Sequence, residues 1–488
     1  MANKKINMES IGFQIENSYA QLPNELFTVM EVKYVPNPTL VVFNDSCAES
    51  LGLDFSQISD SDKAELFCGN IRLPNSTPIA QAYGGHQFGR FTFLGDGRAL
   101  LLAEHITPDG KRVDIQLKGS GPTPYSRGGD GLAALGPMLR EYLISEAMAA
   151  LNIPTTRSLA VVLTNQKIQR QIELEGAVLT RIAKSHIRVG TFQYALAQGG
   201  VETLKALADY TIHRHFPYIE EENRYLGLLS EVIKAQADLI AQWQLVGFIH
   251  GVMNTDNMAI SGETIDYGPC AFLDVYEPKT FFSSIDYSGR YAYVNQPAIA
   301  AWNLARFAET LLPILDKDQF LAQTMAQNAI ESFLPRFKSE WLSGMRKKLG
   351  LFGEEIEDEG LIDELLRIMQ RQQVDYHLTF IHLTTKVDAL EKIPEFAAWL
   401  MKYRTRRLRQ SQSLDESIAL MKSVNPAIVA RNQLVEEALN HAVEYHDLSK
   451  FRYLLELLKN PFEYSIEQLQ ANQPASASSV PYKTYCGT

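Results

Sequence analysis

The residues of this chain that point most directly to chemistry are an amide and a carboxylate, nine positions apart. Asn257 closes the segment 250–257 (HGVMNTDN), and Asp266 opens the triplet 266–268 (DYG). One neutral oxygen and one carboxylate suit a hard divalent cation, Mg²⁺ or Mn²⁺, that also binds phosphate oxygens. The pair therefore predicts a metal site that works together with a nucleotide.

The segment 250–257 and the triplet after it have the outline of a protein-kinase catalytic loop and its metal-binding Asp-x-Gly. In a kinase, an Asp five residues before the Asn accepts the proton of the substrate hydroxyl. That position here is Val252, which cannot accept a proton. Asp256 is the only carboxylate in the loop and is our candidate base, although the pattern suits an Asx-turn residue equally well. The sequence thus predicts a metal–nucleotide site without the usual base for phosphoryl transfer.

The elements that precede this loop follow the order of a kinase small lobe. A hairpin signal at 109–110 leads into an alternating strand, 112–118, that ends on Lys118, and Pro137 opens a helix that carries Glu141. A strand lysine paired with a helix glutamate positions nucleotide phosphates in kinases, whereas an exposed pair of this kind contributes little. We therefore expect Lys118 and Glu141 to form a functional pair.

Two further hairpins and a long helix complete the predicted framework. One hairpin turns at 165–166, and the other joins the runs 258–260 and 264–265 and would carry the metal ligands. From about residue 200 the pattern becomes helical, and an amphipathic helix over 229–243 leads to the catalytic loop.

A phosphate site also requires backbone N–H groups and cationic side chains. In the segment 95–98 (GDGR), Gly95 and Gly97 would let the backbone approach phosphates closely, and Arg98 would be a forked donor. A Gly-x-Gly is, however, more often a hairpin turn. The segment alone leaves both interpretations open.

Two other segments carry candidates for the same site. Asp130 and Gly131 lie in a glycine-rich loop that either reaches the nucleotide or only forms a turn. Arg181 and Arg188 bound a segment at the expected join between the lobes. A salt bridge between lobes is as compatible with that segment as phosphate binding.

Composition places the chain among ordinary soluble globular proteins. It has 488 residues, of which 45% are hydrophobic and 21% charged, and this length favours two or three domains. The net charge of −11 argues against a nucleic-acid partner. No segment has the apolar run of a signal peptide or a membrane span, so we expect no membrane partner and a cytoplasmic location.

The four cysteines do not form a disulfide framework in a chain of this length. Cys486 stands third from the C-terminal end of the sequence, in a Pro/Ser/Ala-rich stretch. An accessible thiol there is a candidate redox site, although an incidental exposed cysteine fits the pattern as well. The sequence leaves open whether Cys486 pairs with Cys270.

Taken together, these residues resemble the selenoprotein O family, whose bacterial members are called YdiU. The resemblance runs over nearly the whole chain, and so many long motifs in one order make it specific. The motifs that carry it are 83–89 (YGGHQFG), 94–99 (LGDGRA), 116–121 (QLKGSG), 140–142 (REY), 250–257 (HGVMNTDN), 289–293 (GRYAY), 295–297 (NQP), 302–304 (WNL), 425–426 (NP) and 431–432 (RN).

The resemblance implies an enzyme that moves AMP, rather than phosphate, from ATP to protein hydroxyls, with the α-phosphate of ATP nearest the acceptor. It implies that Asp256 accepts the proton, that Asn257 and Asp266 hold the metal, and that Glu141 holds Lys118. Some animal members have a selenocysteine where this sequence has Cys486. The residues implied to contact ATP are Gly95, Gly97, Arg98, Lys118, Asp130, Gly131, Arg181, Arg188 and Asp266.

The expected architecture is an α+β, protein-kinase-like, two-lobed fold with additions at both ends. It comprises an N-terminal extension (1–80), a nucleotide-binding small lobe (81–190), a large lobe with the catalytic loop and metal site (191–345), a C-terminal helical region (346–470) and a flexible tail (471–488).

The expected function is transfer of AMP from Mg-ATP to Ser, Thr or Tyr hydroxyls of proteins by a monomeric enzyme that releases pyrophosphate. Three alternatives stay open. They are UMP transfer from UTP with Mn²⁺, an atypical protein kinase, and a pseudokinase scaffold that binds a nucleotide without catalysis.

Overall fold

The computed structural model of the chain describes residues 8–474, 482 and 484. The strands are β1 (Ile15–Glu16), β2 (Phe27–Val29), β3 (Thr39–Phe43), β4 (Ile79–Gln81), β5 (Gly84–Gln87), β6 (Arg90–Phe93), β7 (Ala99–Ile106), β8 (Arg112–Lys118), β9 (Ala133–Ala134), β10 (Arg157–Gln169), β11 (Glu173–Ala183), β12 (Phe248–Ile249) and β13 (Ala271–Phe272).

The α-helices alternate with these strands at first and then follow one another. They are α1 (Met8–Ile11), α2 (Asp45–Ser50), α3 (Asp60–Phe67), α4 (Leu135–Ala150), α5 (Val189–Tyr194), α6 (Gly200–His215), α7 (Arg224–Leu245), α8 (Gln296–Leu315), α9 (Gln319–Glu331), α10 (Phe333–Lys348), α11 (Asp358–Arg371), α12 (Tyr376–Thr385), α13 (Asp388–Glu391), α14 (Pro394–Arg407), α15 (Leu414–Val424), α16 (Asn432–Glu444), α17 (Ser449–Leu458) and α18 (Ile466–Ala471).

One antiparallel sheet forms the first lobe, with strands in the order β2-β4-β7-β8-β11-β10-β3. β1 pairs with β7, and β9 pairs with β11. The predicted turn at 109–110 joins β7 to β8, and β8 ends on Lys118 as the alternating pattern predicts. β2 and β3, which come from the first part of the chain, form the two edges of this sheet.

The helix α4 packs against β10 and β11 and carries Glu141 into the interior. Pro137 lies in its first turn, where a missing N–H breaks no helical hydrogen bond. Leu139, Leu143 and Met148 are fully buried on this helix. Burial of this apolar face is what places Glu141, on the same helix, next to the sheet.

The helix α7 confirms the amphipathic pattern predicted over 229–243. Its N-cap is Asn223, whose side chain accepts a hydrogen bond from the backbone N–H of Leu226. Near its C-terminal end, the Trp243 ring stacks on His250, with 5.4 Å between ring centroids, and its Nε1 donates to Thr264 Oγ1 at 2.9 Å. The long helix thereby anchors both arms of the loop that carries the metal-ligand candidates.

One predicted turn and one predicted strand pairing are wrong. The hairpin of β10 and β11 turns at 170–172, whereas Asn165 lies within β10 at a register shift and has a φ of 52°. An extra residue in a strand produces such a bulge, and Asn tolerates its left-handed backbone. The runs 258–260 and 264–265 do not pair with each other, because Ala259 bridges Arg188 and Thr264 bridges Thr155.

The helices α11, α12, α13, α14 and α15 pack around a separate core that also includes residues of β12, β13 and α10, whereas α16 and α17 pack against α4. The Trp399 ring stacks on Tyr403 with 5.1 Å between centroids, and its Nε1 donates to the Leu361 carbonyl at 2.9 Å. Buried Arg431 joins two parts of the chain. It forms an ion pair with Asp274, which follows β13 in the lobe of the catalytic loop, at 2.8 Å, and another with Asp375, which caps α12, at 2.6 Å. The RN motif at 431–432 therefore connects the C-terminal helices to the lobe that carries the catalytic loop.

Two described residues of the tail contact different parts of the protein: Thr484 contacts the segment between α7 and α8, and Tyr482 contacts the helix α16. The Thr484 N–H donates to the Phe282 carbonyl at 2.8 Å, and the Tyr482 hydroxyl donates to Glu436 at 2.5 Å. Cys486, the candidate redox residue, lies outside the described residues. Three cysteines within them, Cys47, Cys68 and Cys270, are buried.

The fold is α+β and protein-kinase-like, with a sheet lobe that carries the lysine–glutamate pair and a helical lobe that carries the catalytic loop. A C-terminal helical region follows it. Across the described residues, none of the helices combines the length and the apolar character needed to cross a membrane.

Candidate active site

A cleft of about 720 Å³ lies where the sheet lobe meets the catalytic loop. Its lining brings together residues that are far apart in the sequence. Those predicted from the sequence and found in its wall are Gly95, Gly97, Arg98, Lys118, Asp130, Gly131, Arg181, Arg188, Asp256, Asn257 and Asp266.

Four charged side chains form a closed ionic group at the inner end of this cleft. Lys118 Nζ contacts Glu141 Oε2 at 2.6 Å and Asp266 Oδ1 at 2.5 Å. Arg181 Nε donates to Glu141 Oε1 at 2.8 Å, and its Nη2 contacts Asp266 Oδ1 at 2.5 Å. Lys118, Glu141 and Arg181 are buried. Each cation is thus shared between a helix carboxylate and the candidate metal ligand.

The two carboxylates of this group stay ionised because of their partners. Burial alone would raise the pKa of Asp266, but Lys118, Arg181 and Arg188 outweigh it and hold that pKa well below its usual value. Burial likewise favours the protonated form of Glu141. Arg181 and Lys118 outweigh this effect, so the pKa of Glu141 is lowered. Asp266 is therefore available as an anion over the whole physiological pH range.

The donor atoms of Asn257 and Asp266 fit a divalent cation. Lys118 and Arg181 both use Oδ1 of Asp266, which leaves Oδ2 for a metal. Asn257 Nδ2 donates to the Val252 carbonyl at 3.0 Å, so its Oδ1 is the atom left for coordination. Among the residues that the structure describes, no group of three or more His, Cys, Asp or Glu could hold a metal. Two protein oxygens suit Mg²⁺ or Mn²⁺ only if nucleotide phosphates and water supply the rest.

Asp256 stands beside this pair and is half-buried. Burial raises its pKa to about 6, against the lowering effect of Arg188. Its Oδ1 is buried and has no hydrogen-bond partner, while the side chain of Gln87 lies within hydrogen-bonding reach of the carboxylate. An unpaired buried oxygen on a carboxylate of raised pKa is suited to accept a proton.

The hairpin of β5 and β6 covers Asp256 and is hydrogen-bonded to the catalytic loop. The His86 N–H donates to Thr255 Oγ1 at 2.7 Å, and Thr255 in turn donates to Gln193 Oε1 at 2.8 Å. The Gln193 amide closes the ring at His86 Nδ1, 2.8 Å away. These three side chains link the hairpin, α5 and the loop that carries Asp256.

The hairpin reaches Asp256 because two glycines permit it. A Cβ on Gly85 would lie 2.2 Å from Asp256 Oδ1. A Cβ on Gly190, in the first turn of α5, would lie 2.0 Å from the Gly84 carbonyl oxygen. No side chain larger than hydrogen fits at either place. Sequence reasoning assigned no role to these glycines, and the doubled glycine at 84–85 was the only available signal.

The tip of the same hairpin has a strained backbone. Phe88 has a φ of 50° and Gly89 a φ of 85°, the conformation of a type I′ turn. An aromatic residue such as Phe rarely adopts a positive φ. The Phe88 N–H donates to Asn254 Oδ1 at 3.1 Å, and its ring packs on Tyr291 with 5.1 Å between centroids. These contacts with the catalytic lobe hold the strained turn in place.

Arg188 is the buried cation of the cleft that has most capacity left for a ligand. Its Nη1 donates to the His186 carbonyl at 2.8 Å, its guanidinium lies 4.4 Å from the centre of the Tyr83 ring, and its Nε has no partner. Arg181, by contrast, is held by two carboxylates. The structure therefore gives the two arginines of the segment 181–188 different surroundings.

The glycines of the GDGR segment serve close packing. A Cβ on Gly95 would lie 2.4 Å from the Tyr125 ring, and one on Gly97 would lie 2.9 Å from the Tyr125 carbonyl oxygen. Asp96, between them, accepts hydrogen bonds from the Gln81 N–H and the Gln116 amide, and burial raises its pKa to about 6. Arg98 follows and lines the cleft.

Asp130 lies at the outer rim of the cleft. It forms a two-pronged ion pair with Arg170, at 2.7 and 3.0 Å, and also accepts the Leu132 N–H at 3.0 Å. The neighbouring Gly131 has a φ of 66°, and a Cβ there would lie 2.1 Å from the Gly121 carbonyl oxygen. Both residues shape the loop that forms this rim.

Comparisons with known proteins give two kinds of match. A sequence profile described as "Protein adenylyltransferase SelO" matches residues 9–459. Relatives named "Protein nucleotidyltransferase YdiU" include one from Alkaliphilus metalliredigens, 56% identical over 98% of both chains, and one from Clostridium botulinum strain Loch Maree, 57% identical over 100% of both.

Among solved structures, ROP2 from Toxoplasma gondii, described as a virulence factor with a protein-kinase fold and no enzymatic activity, is 9% identical. The match covers 68% of this chain and 88% of that one with a TM-score of 0.23. A similarity at that level carries no argument. The kinase-like fold rests instead on the lobes described above and on the pairing of Lys118 with Glu141.

Replacing Glu141 by Gln tests the ionic group. We expect the free energy of unfolding to fall by about 3–5 kcal/mol, because two buried cations would then share one carboxylate. Urea denaturation measures this change. The matched control is Glu364→Gln, which breaks an exposed ion pair with Lys402 and should cost less than about 1 kcal/mol. Equal losses for the two variants would contradict this account of the group.

Proposed function

The chain belongs to the SelO family of protein adenylyltransferases and is a nucleotidyltransferase, and we propose that it transfers AMP from ATP to Ser, Thr or Tyr hydroxyls of proteins with release of pyrophosphate. One observation carries the choice of AMP over phosphate. Beside an intact metal pair, the position of the kinase base is occupied by Val252, an apolar residue in the wall of the cleft, and the nearby carboxylate is Asp256.

In the proposed reaction, ATP lies with its α-phosphate nearest Asp256. The acceptor oxygen forms a bond to the α-phosphorus while the bond from that phosphorus to the bridging oxygen breaks, and pyrophosphate leaves with the bridging oxygen. The hydroxyl proton passes to the Asp256 carboxylate, which burial has made a stronger base than an exposed Asp.

The other residues of the cleft orient the triphosphate and offset its charge. Arg188 and Arg98 are the donors for phosphate oxygens that are least committed to protein carboxylates, and Lys118 is held in place by Glu141. A divalent cation bound by Asn257 and Asp266 would supply charge neutralisation for the leaving pyrophosphate. The partly buried setting strengthens these interactions, because water screens them less than it would at an exposed surface.

UMP transfer from UTP is the second candidate. The relatives carry the broader name nucleotidyltransferase. In this scheme, Asn257, Asp266 and Asp256 do not contact the adenine or uracil ring, so they do not select between ATP and UTP. Every residue invoked comes from one chain, so the proposal requires no second copy. We also propose that the protein acts in the cytoplasm, where ATP and acceptor proteins are abundant.

Labelled nucleotides test the transferred group. We expect label from α-³²P-ATP, and none from γ-³²P-ATP, to appear on protein when the chain is incubated with Mg²⁺ and a heat-treated cell extract, whose own kinases are inactive, as the source of acceptors. Intact mass should rise by one AMP for each modification. Label from γ-³²P-ATP would establish a kinase instead, and parallel incubations with α-³²P-UTP and Mn²⁺ compare the two nucleotides.

Asp256→Asn removes the proposed base with little change in shape. We expect transfer to fall by about 10²–10⁴-fold while the affinity for Mg-ATP stays within a few-fold of that of the unaltered chain. The unaltered chain should lose kcat/KM as the pH falls through about 6, because its carboxylate becomes protonated there. A variant that retains both full activity and this pH dependence would refute the role of Asp256.

Gly85→Ala tests the cover over the base. The added methyl group would lie 2.2 Å from Asp256 Oδ1, so hairpin and loop must move apart. We expect transfer to fall at least tenfold, a loss of about 1.4 kcal/mol in transition-state stabilisation. Gly360→Ala is the matched control, because a Cβ there meets nothing within 4 Å. Equal activity of the two variants would show that the close contact is unimportant.

A further inference from the structure

Two arginines form a cationic patch beside the cleft, on the side of Asp256. Arg90 belongs to the tip of the β5–β6 hairpin, and Arg290 belongs to the segment between the metal-ligand loop and α8. Neither side chain lines the cleft that contains Lys118 and Arg188. The patch is therefore separate from the cations that would contact the triphosphate.

The hairpin gives Arg90 a defined relation to the proposed base. Arg90 is the cross-strand partner of Gln87, and such partners project from the same face of a hairpin. Gln87 lines the cleft and lies within hydrogen-bonding reach of Asp256. Since the backbone of the hairpin is bonded to Thr255 and Asn254, Arg90 is held on the face that covers Asp256.

Arg290 is held by aromatic stacking. Its guanidinium lies 5.2 Å from the centre of the Trp302 ring and 5.7 Å from that of Tyr291. A Cβ on Gly89, the residue before Arg90, would lie 3.8 Å from Arg290 Nη2. The Arg290 side chain also hydrogen-bonds to the Tyr291 hydroxyl. A stacked guanidinium keeps its other N–H groups available for a carboxylate and loses little further freedom on binding.

Both arginines lack an acidic partner. Within residues 8–474, 482 and 484, no carboxylate forms an ion pair with Arg90 or Arg290, whereas the neighbouring Arg306 pairs with Glu309. Arg90 is exposed, and Arg290 Nε is buried without a hydrogen-bond partner. The chain as a whole has a net charge of −11, so two unpaired cations beside Asp256 make this part of the surface positive where the protein overall is negative.

We propose that Arg90 and Arg290 select the acceptor, binding carboxylates that flank the modified hydroxyl in an acidic segment of the substrate protein. The proposal rests on the proposed function, because it assumes that the acceptor hydroxyl reaches Asp256. The nucleotide would fill the inner cleft, so the acceptor approaches past the tip of the hairpin. Side chains on either side of the hydroxyl then pass the two guanidinium groups.

Peptide binding tests this site without requiring catalysis. Fluorescent peptides with one Ser, Thr or Tyr flanked on both sides by Glu, by Gln or by Lys are titrated with the full chain in Mg²⁺ and α,β-methylene-ATP, which cannot release AMP. We expect the Glu peptides to bind about five- to tenfold more tightly than the Gln peptides and the Lys peptides least, because ion pairs with exposed Arg90 and half-buried Arg290 are each worth a few-fold. Added salt should reduce the difference.

Charge reversal identifies the residues responsible. Arg90→Glu with Arg290→Glu should invert the order so that Lys peptides bind best, and Arg90→Glu alone, at an exposed position, should remove most of the preference without affecting folding. Arg452→Glu, at an exposed position on α17, is the matched control and should leave the order unchanged.

Three results would overturn the acceptor site: equal binding of the three peptides, no binding of any of them, or an acidic preference that survives in the double variant. Each is read from binding alone. An absence of AMP transfer from ATP to any protein would instead contradict the proposed function and would leave the peptide-binding result standing.

Discussion

The structure depends first on the ionic group of Lys118, Glu141, Arg181 and Asp266. Its members come from β8, α4, β11 and the loop after the catalytic segment, so four separate parts of the chain must meet at one point. A buried charge left without its partner costs several kcal/mol, which makes this meeting close to obligatory. The same contacts set the position of Asp266 relative to the sheet, and they account for a metal-ligand candidate held at a φ of 64°.

A second constraint is steric and acts on the base. Asp256 is covered by the backbone of a hairpin from the other lobe, which approaches through Gly85 and is bonded to Thr255 and Asn254. The cover shields the carboxylate from part of the surrounding water, and this burial raises its pKa. In the proposed reaction, Asp256 is the proton acceptor of a kinase-like loop that has Val252 in place of the usual Asp, and the hairpin that covers Asp256 also carries Arg90 to the proposed acceptor side.

The difference between predicted and observed structure follows from the range of the interactions. The ends of β8, the start of α4 to within two residues and the face of α7 were predictable, because alternation, the proline signal and helical periodicity are local properties. The turn placed at 165–166 was wrong because Asn165 is accommodated as a bulge within a strand that continues. The hairpin expected between 258–260 and 264–265 was wrong because those runs bond to Arg188 and Thr155, and pairing over such distances leaves no local pattern.

The sequence by itself determined which residue types were present at kinase-like spacing, and hence the lysine–glutamate pair, the amide–carboxylate pair and the missing base at Val252. Only the tertiary structure decided what each charged group contacts. It placed Arg181 between two carboxylates and left Arg188 with an unpaired Nε, although both stand in one short segment. The physical reason is that burial and Coulomb interactions depend on distances between parts of the chain that are remote in sequence, and those distances exist only once the lobes have packed.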